Sequence, residues 1–321
     1  MRVLLLLLAA MLLMPAPTRG QGNDVKSRSP YDSRYLVFGT RDVDGTPRWA
    51  VLDFNRTVRG PSRVTYEYKV FTAREGAWTL HHYETWDADP AGAPRFPSRR
   101  GVQPALSKGE RMAVTVDLPD LRLRVTMAAP DFSFVAEKEA LGTIRTAHVR
   151  FEVTWDGTTY EGPGVYEWVI YDQSASRSNA EEAAEAQRQL DDDAFFGRYD
   201  WIVLYDDQGR LWQVSQGTLT EDFAYQGVTG DLPGVTHDVL VRWLVTAYDS
   251  TAAQHSPTHW LVDVPAWAMR VRLTRRGEHR GHGDRQADGT RPVYALVSAD
   301  GAGIVQGMRQ PFMALVELIQ D

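Results

Sequence analysis

The stretch Val64-Thr65-Tyr66-Glu67-Tyr68-Lys69-Val70 alternates, with apolar residues at the even-numbered positions and polar ones between them. Period two is the side-chain period of an extended chain, so this reads as a β-strand with one face toward a core and the other toward water. Similar short runs extend outward on both sides, punctuated by Gly, Pro and Asp. In the first half the candidates are Tyr35–Thr40, Arg48–Phe54, Arg63–Thr72, Trp78–Thr85, Arg111–Leu118, Leu121–Ala128, Ala147–Trp155 and Gly164–Tyr171. The second half offers Tyr199–Tyr205, Arg210–Thr218, His237–Thr246, Thr258–Val264, Met269–Thr274, Val293–Ser298 and Met313–Leu318. Asp44-Gly45 and Asp156-Gly157 suit tight hairpin turns, because Asp-Gly tolerates the positive φ such turns demand. Evenly spaced short strands with almost no helix predict an all-β, mostly antiparallel barrel or sandwich rather than an α/β fold.

Two segments break the pattern. Trp86–Arg100, with three prolines, reads as a long loop. Ser176–Asp193 changes abruptly to Ala, Glu, Gln and Arg, and Ser178 or Asn179 stands three residues before a glutamate, which predicts one capped helix. Its face carries little apolar surface, so it reads as a connector between two halves. The expected layout is therefore 1–20 a signal peptide, 21–175 an N-terminal β domain, 176–193 a helical connector and 194–321 a C-terminal β domain. A short echo, Tyr166-Glu167-Trp168 against Tyr199-Asp200-Trp201, suggests duplication.

The signal-peptide reading rests on Arg2, the apolar run Val3–Met14 and Pro15-Ala16-Pro17. That run is shorter than the roughly 20 residues a membrane-spanning helix needs. The expectation is export to the periplasm or beyond, with no stable membrane insertion after cleavage. Losing Arg2 and Arg19 with residues 1–20 would take the net charge from −7 to −9. Such a balance argues against nucleic acid as a partner. The chain has no cysteine, which excludes disulfides, acylation and thiol chemistry together. Packing must carry the stability, and 10 Trp, 13 Tyr and 11 Phe provide large surfaces for it.

Nucleophile and phosphate-binding motifs are missing: there is no Gly-x-Ser-x-Gly elbow, and Gly162-Pro163-Gly164 and Gly301-Ala302-Gly303 lack the context of a nucleotide loop. His279-Arg280-Gly281-His282-Gly283-Asp284 has metal-ligand residue types but reads as a mobile hairpin loop, so neither metal nor cofactor is expected. His148 and His237 read as structural. Asn55-Arg56-Thr57 matches a glycosylation sequon, a pattern frequent by chance. The sharper candidates are Asp200 and Glu167, each between two aromatic residues on a strand. The middle residue of such a triplet points away from its neighbours. Turned inward it would be desolvated and become a candidate general acid, while turned outward it is an ordinary surface charge.

Tyr199-Asp200-Trp201-Ile202-Val203-Leu204 followed by Asp207-Gln208-Gly209-Arg210-Leu211 resembles the Trp-Asp-Trp and Asp-Asp-Gly-Arg pattern of the AttH and carotenoid 1,2-hydratase (hydroxyneurosporene synthase) group. Thr258-His259-Trp260-Leu261-Val262-Asp263-Val264-Pro265 is similar to its Trp-x-Leu-x-Val-Pro strand. Val293-Tyr294-Ala295, Gln306-Gly307 and Ala314–Leu318 are similar to its closing segment. In the first half Gly164-Val165-Tyr166-Glu167-Trp168 matches its Glu-Trp pair, although Val165-Tyr166 replaces an Asp-Arg and Val169 a glycine. The resemblance implies two tandem lipocalin-like antiparallel β-barrels joined by the short helix and built around pockets for hydrophobic molecules. It also implies acid-assisted chemistry: a carboxylic acid protonates an alkene, and aromatic faces stabilise the cation that water captures. On that analogy Asp200 and Glu167 are the catalytic candidates, and Tyr199, Trp201, Tyr166, Trp168 and Trp260 the substrate-binding ones.

The expected partner is a hydrophobic, isoprenoid- or polyketide-like small molecule. Whether it is only bound, or also hydrated or isomerised at a C=C bond without a cofactor, stays open. The alternative is a non-catalytic structural or interaction protein of the cell envelope. Subunit number is not legible.

Overall fold

The computed structural model describes residues 31–58, 63–89, 94–132, 134–138, 142–171, 198–217, 222–227, 234–282 and 289–320. The expected signal peptide and connecting helix lie outside them. The first half contributes β1 (Tyr31–Arg41), β2 (Pro47–Val58), β3 (Val64–Arg74), β4 (Ala77–Ala88), β5 (Val102–Leu106), β6 (Met112–Leu118), β7 (Leu121–Met127), β8 (Phe134–Lys138), β9 (Gly142–Trp155) and β10 (Thr158–Tyr171). The second contributes β11 (Arg198–Asp206), β12 (Leu211–Gly217), β13 (Phe223–Gln226), β14 (Gly234–Thr236), β15 (Leu240–Asp249), β16 (Gln254–Val264), β17 (Met269–His282), β18 (Val293–Val305) and β19 (Met308–Gln320). A 3-10 turn at Pro265–Trp267 joins β16 to β17.

The first sheet runs β4-β3-β2-β1-β10-β9-β7-β6-β5 with β8 beside β9, and the second β14-β13-β12-β11-β19-β18-β17-β16-β15. In each, the first and last strands pair at the centre, so chain order runs round a curled antiparallel half-barrel with its open seam between β4 and β5 or between β14 and β15. The two halves are thus an all-β, lipocalin-like pair. Asp-Gly turns behave as their chemistry requires: Asp156 and Gly157 both take positive φ (48° and 87°) between β9 and β10.

Each half-barrel encloses its own core. Leu36, Leu52, Tyr66, Tyr68 and Phe151 belong to the first, and Ile202, Leu204, Trp212, Trp260 and Val316 to the second. A third cluster lies between the sheets, where Tyr35, Val37, Trp49 and Val51 meet Trp201, Val203, Tyr205 and Leu315. The halves therefore pack outer wall to outer wall, and the central strands are buried on both faces. That explains the unbroken apolar run Trp201–Tyr205: a strand covered twice has no wet side to alternate with. Burying a large apolar side chain contributes roughly 1.5–3 kcal/mol before its ordering entropy is counted, so this seam is a major part of the fold.

The structure corrects several expectations. The odd face of β3 is not wet, because the second sheet covers it: Glu67 and Lys69 are buried, and Lys69 bridges Asp53 and Glu67 at 2.8 Å each. Burial alone would lower the Lys69 pKa, but the two carboxylates outweigh it and hold the amine charged. His279–His282 forms the end of β17, paired with Val293–Leu296, and is no hairpin loop. His279 packs on Phe71 of the other half, and His282 bonds Asp249 at 2.9 Å. The 86–100 loop begins later than expected because β4 continues to Ala88. The Tyr166/Tyr199 echo joins non-equivalent strands: β10 closes one sheet, whereas β11 opens the other. Asn55 is buried and donates to Glu67 at 3.3 Å, so the sequon offers no accessible amide.

Candidate active site between the half-barrels

Strand parity divides the seven candidate residues among three places. On β11, Asp200 turns with Ile202 and Leu204 into the second half-barrel, while Tyr199 and Trp201 face the seam. On β10, Tyr166 turns into the first half-barrel. Glu167 turns to the seam, where it meets Trp201 of the other half. Asp200 and Glu167 are thus not brought together.

Asp200 is fully buried. Its Oδ1 accepts the Trp260 indole N–H at 2.9 Å, both of its oxygens lie about the Trp243 indole N–H at 3.1 and 3.0 Å, and Oδ2 accepts Arg198 Nε at 2.5 Å. Arg198 in turn lies 4.4 Å from the centre of the Trp243 ring. Burial pushes the Asp200 carboxyl up, and the Arg198 charge with the indole donors pulls back. Among the described residues, each side chain bonded to it is a donor and one carries a positive charge, which suits an ionised carboxylate. This is a strap across the barrel interior from β11 to β15 and β16.

Tyr166 and Trp168 belong to a related strap in the first half, built on residues that sequence reasoning missed. Arg34, fully buried on β1, bonds Asp32 at 3.1 Å, the Tyr166 hydroxyl at 2.7 Å and Glu110 at 2.5 Å. Trp168 donates to Asp32 at 3.0 Å and has the Arg34 guanidinium 4.1 Å from its ring centre. Arg95 closes the cluster on Asp32 and Glu110. Each half thus carries a carboxylate and an arginine two residues apart at the start of its first strand, in opposite order: Asp32-x-Arg34 and Arg198-x-Asp200. That spacing was a legible signal, since i and i+2 share a strand face.

The seam holds the other chemistry. Glu167 Oε1 accepts Gln213 Nε2 at 2.7 Å, Trp201 Nε1 at 3.0 Å and Thr146 Oγ1 at 3.2 Å. All three donors are neutral. Burial pushes the Glu167 carboxyl up to about 7 against their opposing effect. Glu317, on the closing strand of the other half, stands opposite Trp201 just as Glu167 stands opposite Tyr35. Burial, with Glu167 and Asp53 as like charges, pushes Glu317 up to about 8, and Lys69 and Tyr35 offset only part of this. The Tyr35 and Trp201 rings meet edge-on between the two carboxyls, centroids 5.6 Å apart.

Glu167, Glu317, Tyr199 and Tyr294 are surrounded by both sheets, yet each keeps part of its surface accessible. Tyr35 is 8% exposed, and its hydroxyl lies against the Glu317 carboxyl and the Tyr294 hydroxyl. His148 closes the back of the seam. Gly227 N–H donates to its Nδ1 at 3.0 Å, Tyr225 packs on its ring, and burial lowers its pKa to about 3, so it is a neutral structural histidine.

No family model matches the chain, and no curated protein does. Among solved structures, a Nitrosomonas europaea protein described as a candidate AttH aligns over 95% of this chain and 99% of its own, with a TM-score of 0.55 and 12% identity. CghA aligns over 96% of each chain with a TM-score of 0.44 and 11% identity. The first likeness is one of fold: this chain has a distantly AttH-like, lipocalin-like architecture.

Proposed function

We propose that this is an exported lipocalin-like protein that binds an isoprenoid- or polyketide-like small molecule at the seam between its halves, and that it moves a proton at a C=C bond of that molecule. One observation carries the reading: Glu167 and Glu317, carboxyls that burial pushes up to about 7 and about 8, stand on either side of the Tyr35–Trp201 ring pair between the sheets. A group that holds its proton near pH 7 can both give and take it at working pH. The tryptophan and tyrosine faces suit an apolar, conjugated body and any positive charge that develops on it. Between the two acid candidates the geometry favours Glu167, which meets only neutral donors, over Asp200, which is paired with Arg198.

Export rests on the character of residues 1–20, and the AttH-like fold of the Nitrosomonas europaea protein adds weight to the ligand-binding reading. The test is solvent extraction of the purified chain followed by mass spectrometry, in wild type and in Glu167→Gln. A reproducible apolar compound released from both, and chemically altered only by wild type, is the expected result. Consistently empty protein would favour the alternative, a non-catalytic structural β protein of the envelope.

A further inference from the structure

The outer wall of the second half-barrel divides in two. One part is the seam, covered by the first sheet, and the rest, from β15 to the far ends of β18 and β19, is open among the described residues. Strand register sets its side chains in rows. Arg242, Leu261, Arg272, Ala302 and Pro311 stand opposite one another across five strands, and Leu240, Asp263, Arg270, Ile304 and Arg309 form the next row, nearer the barrel end. Their outward direction follows from alternation, because Val241, Val262, Val271 and Phe312 between them fill the core. All four arginines are exposed.

These rows hold four arginines and one aspartate, in a chain whose net charge is −7. Asp263 is already taken by Arg270, whose Nε donates to it at 2.9 Å. Arg242, Arg272 and Arg309 meet no carboxylate among the described residues. Three uncompensated cations on one wall make a local field opposite in sign to the whole molecule. The edge of the wall is apolar. Two turns form it, Pro265–Ala268 between β16 and β17 and Gln306-Gly307 between β18 and β19, and the Gln306 N–H joins them by donating to the Ala268 carbonyl at 3.2 Å. Neither turn carries a charge. Pro265, Ala266 and Ala268 are exposed there, Met308 is 52% exposed, and Ile304, paired with Arg309, is 49% exposed.

We propose that this wall docks on a membrane surface rich in anionic phospholipid headgroups. The arginines bind headgroup phosphates, whose oxygens a planar guanidinium meets with two parallel donors. Met308 and the exposed turn residues enter between the headgroups. An acidic protein would answer the arginines but leave the uncharged apolar edge uncovered, whereas a lipid surface takes both. An acidic chain is repelled by such a surface on average, but a docking face responds to the charges within about a Debye length, about 8 Å at physiological salt. Those charges are the arginines. The docking is independent of what the seam binds.

The test uses the full chain, whose lack of cysteine makes a single introduced thiol unambiguous to label. Met308→Cys and, in the other half, Leu80→Cys are each labelled with an environment-sensitive fluorophore and mixed with vesicles of phosphatidylcholine, with or without an equal part of phosphatidylglycerol. The label at 308 should shift to the blue on the mixed vesicles only, sodium chloride should reverse the shift, and the label at 80 should not respond. Arg272→Gln combined with Arg309→Gln should weaken vesicle binding about 25-fold, about fivefold for each cation removed from an anionic surface, with the melting curve as folding control. Arg122→Gln combined with Arg124→Gln, exposed arginines of the first half, should change nothing. Equal shifts of both labels, or a shift at 308 on phosphatidylcholine alone, would overturn the assignment and point to the apolar run Val3–Met14. Equal weakening by the two double variants would replace the docking face by a diffuse attraction. Binding to polyglutamate without binding to vesicles would replace the membrane by an acidic protein, and binding to neither would remove the docking surface.

Discussion

Asp200 shows how one residue's surroundings decide between chemistry and structure. Its parity on β11 was legible from Tyr199-Asp200-Trp201, and the carboxylate does point into the barrel interior. The sequence could not show what waits there: Arg198 from its own strand, and the Trp243 and Trp260 indoles from across the barrel. Removing one partner of a buried charge pair leaves the other uncompensated, which typically costs about 3–5 kcal/mol. Asp200→Asn should therefore lower stability by about 3 kcal/mol in a denaturant titration, because the guanidinium and two indole N–H groups lose the anion they converge on. An unchanged unfolding midpoint would show that the strap carries no net stability. Glu167 is the converse case. Its triplet looked the same, but its face is the seam, its donors are neutral, and its proton affinity rises to about 7.

At the scale of elements, local chemistry was legible wherever one strand's own pattern decided the outcome. The alternation of Val64–Val70 identifies the face that fills the first core, and Asp156-Gly157 identifies a hairpin. What failed was anything set by a distant neighbour. Glu67 and Lys69 look like a solvated face until the second sheet covers them. β5, which carries Pro104, was missed; it lies at a sheet edge, where a strand tolerates a missing N–H. β13 and β14 are four and three residues long, too short to show a period. Gly277 of β17 is likewise explained only by contact: it sits at a bulge against the β3–β4 turn of the other half, and a Cβ there would fall 2.0 Å from the Gly76 carbonyl oxygen. Gly277→Ala should accordingly push the halves apart locally and cost about 1–3 kcal/mol. Thermal melting of the variant checks it, and a neutral result would mean that this backbone contact does not hold the halves.

At the scale of the whole molecule, the seam cluster ties both half-barrels into one structure and buries an unequal set of charges. Asp53, Glu67, Glu167 and Glu317 face Lys69, Tyr35 and Tyr294 there. Glu167 and Glu317 bind their protons more tightly folded than unfolded, where the ordinary value is 4.5. The stabilisation from keeping them neutral is complete below that value and is lost as pH rises through about 7 and about 8. The melting temperature should therefore fall between pH 5 and pH 8, and Glu317→Gln should flatten the upper part of that fall; a curve rising over the range would contradict the burial of these groups. The most direct measurement is a carbon-13 NMR titration of the glutamate side-chain carboxyls in the intact chain. Two resonances should titrate near 7 and 8, with one lost in Glu167→Gln and the other in Glu317→Gln. Glutamates that all titrate within the ordinary range would show that the seam shelters no neutral carboxyl and that no proton is held there to transfer.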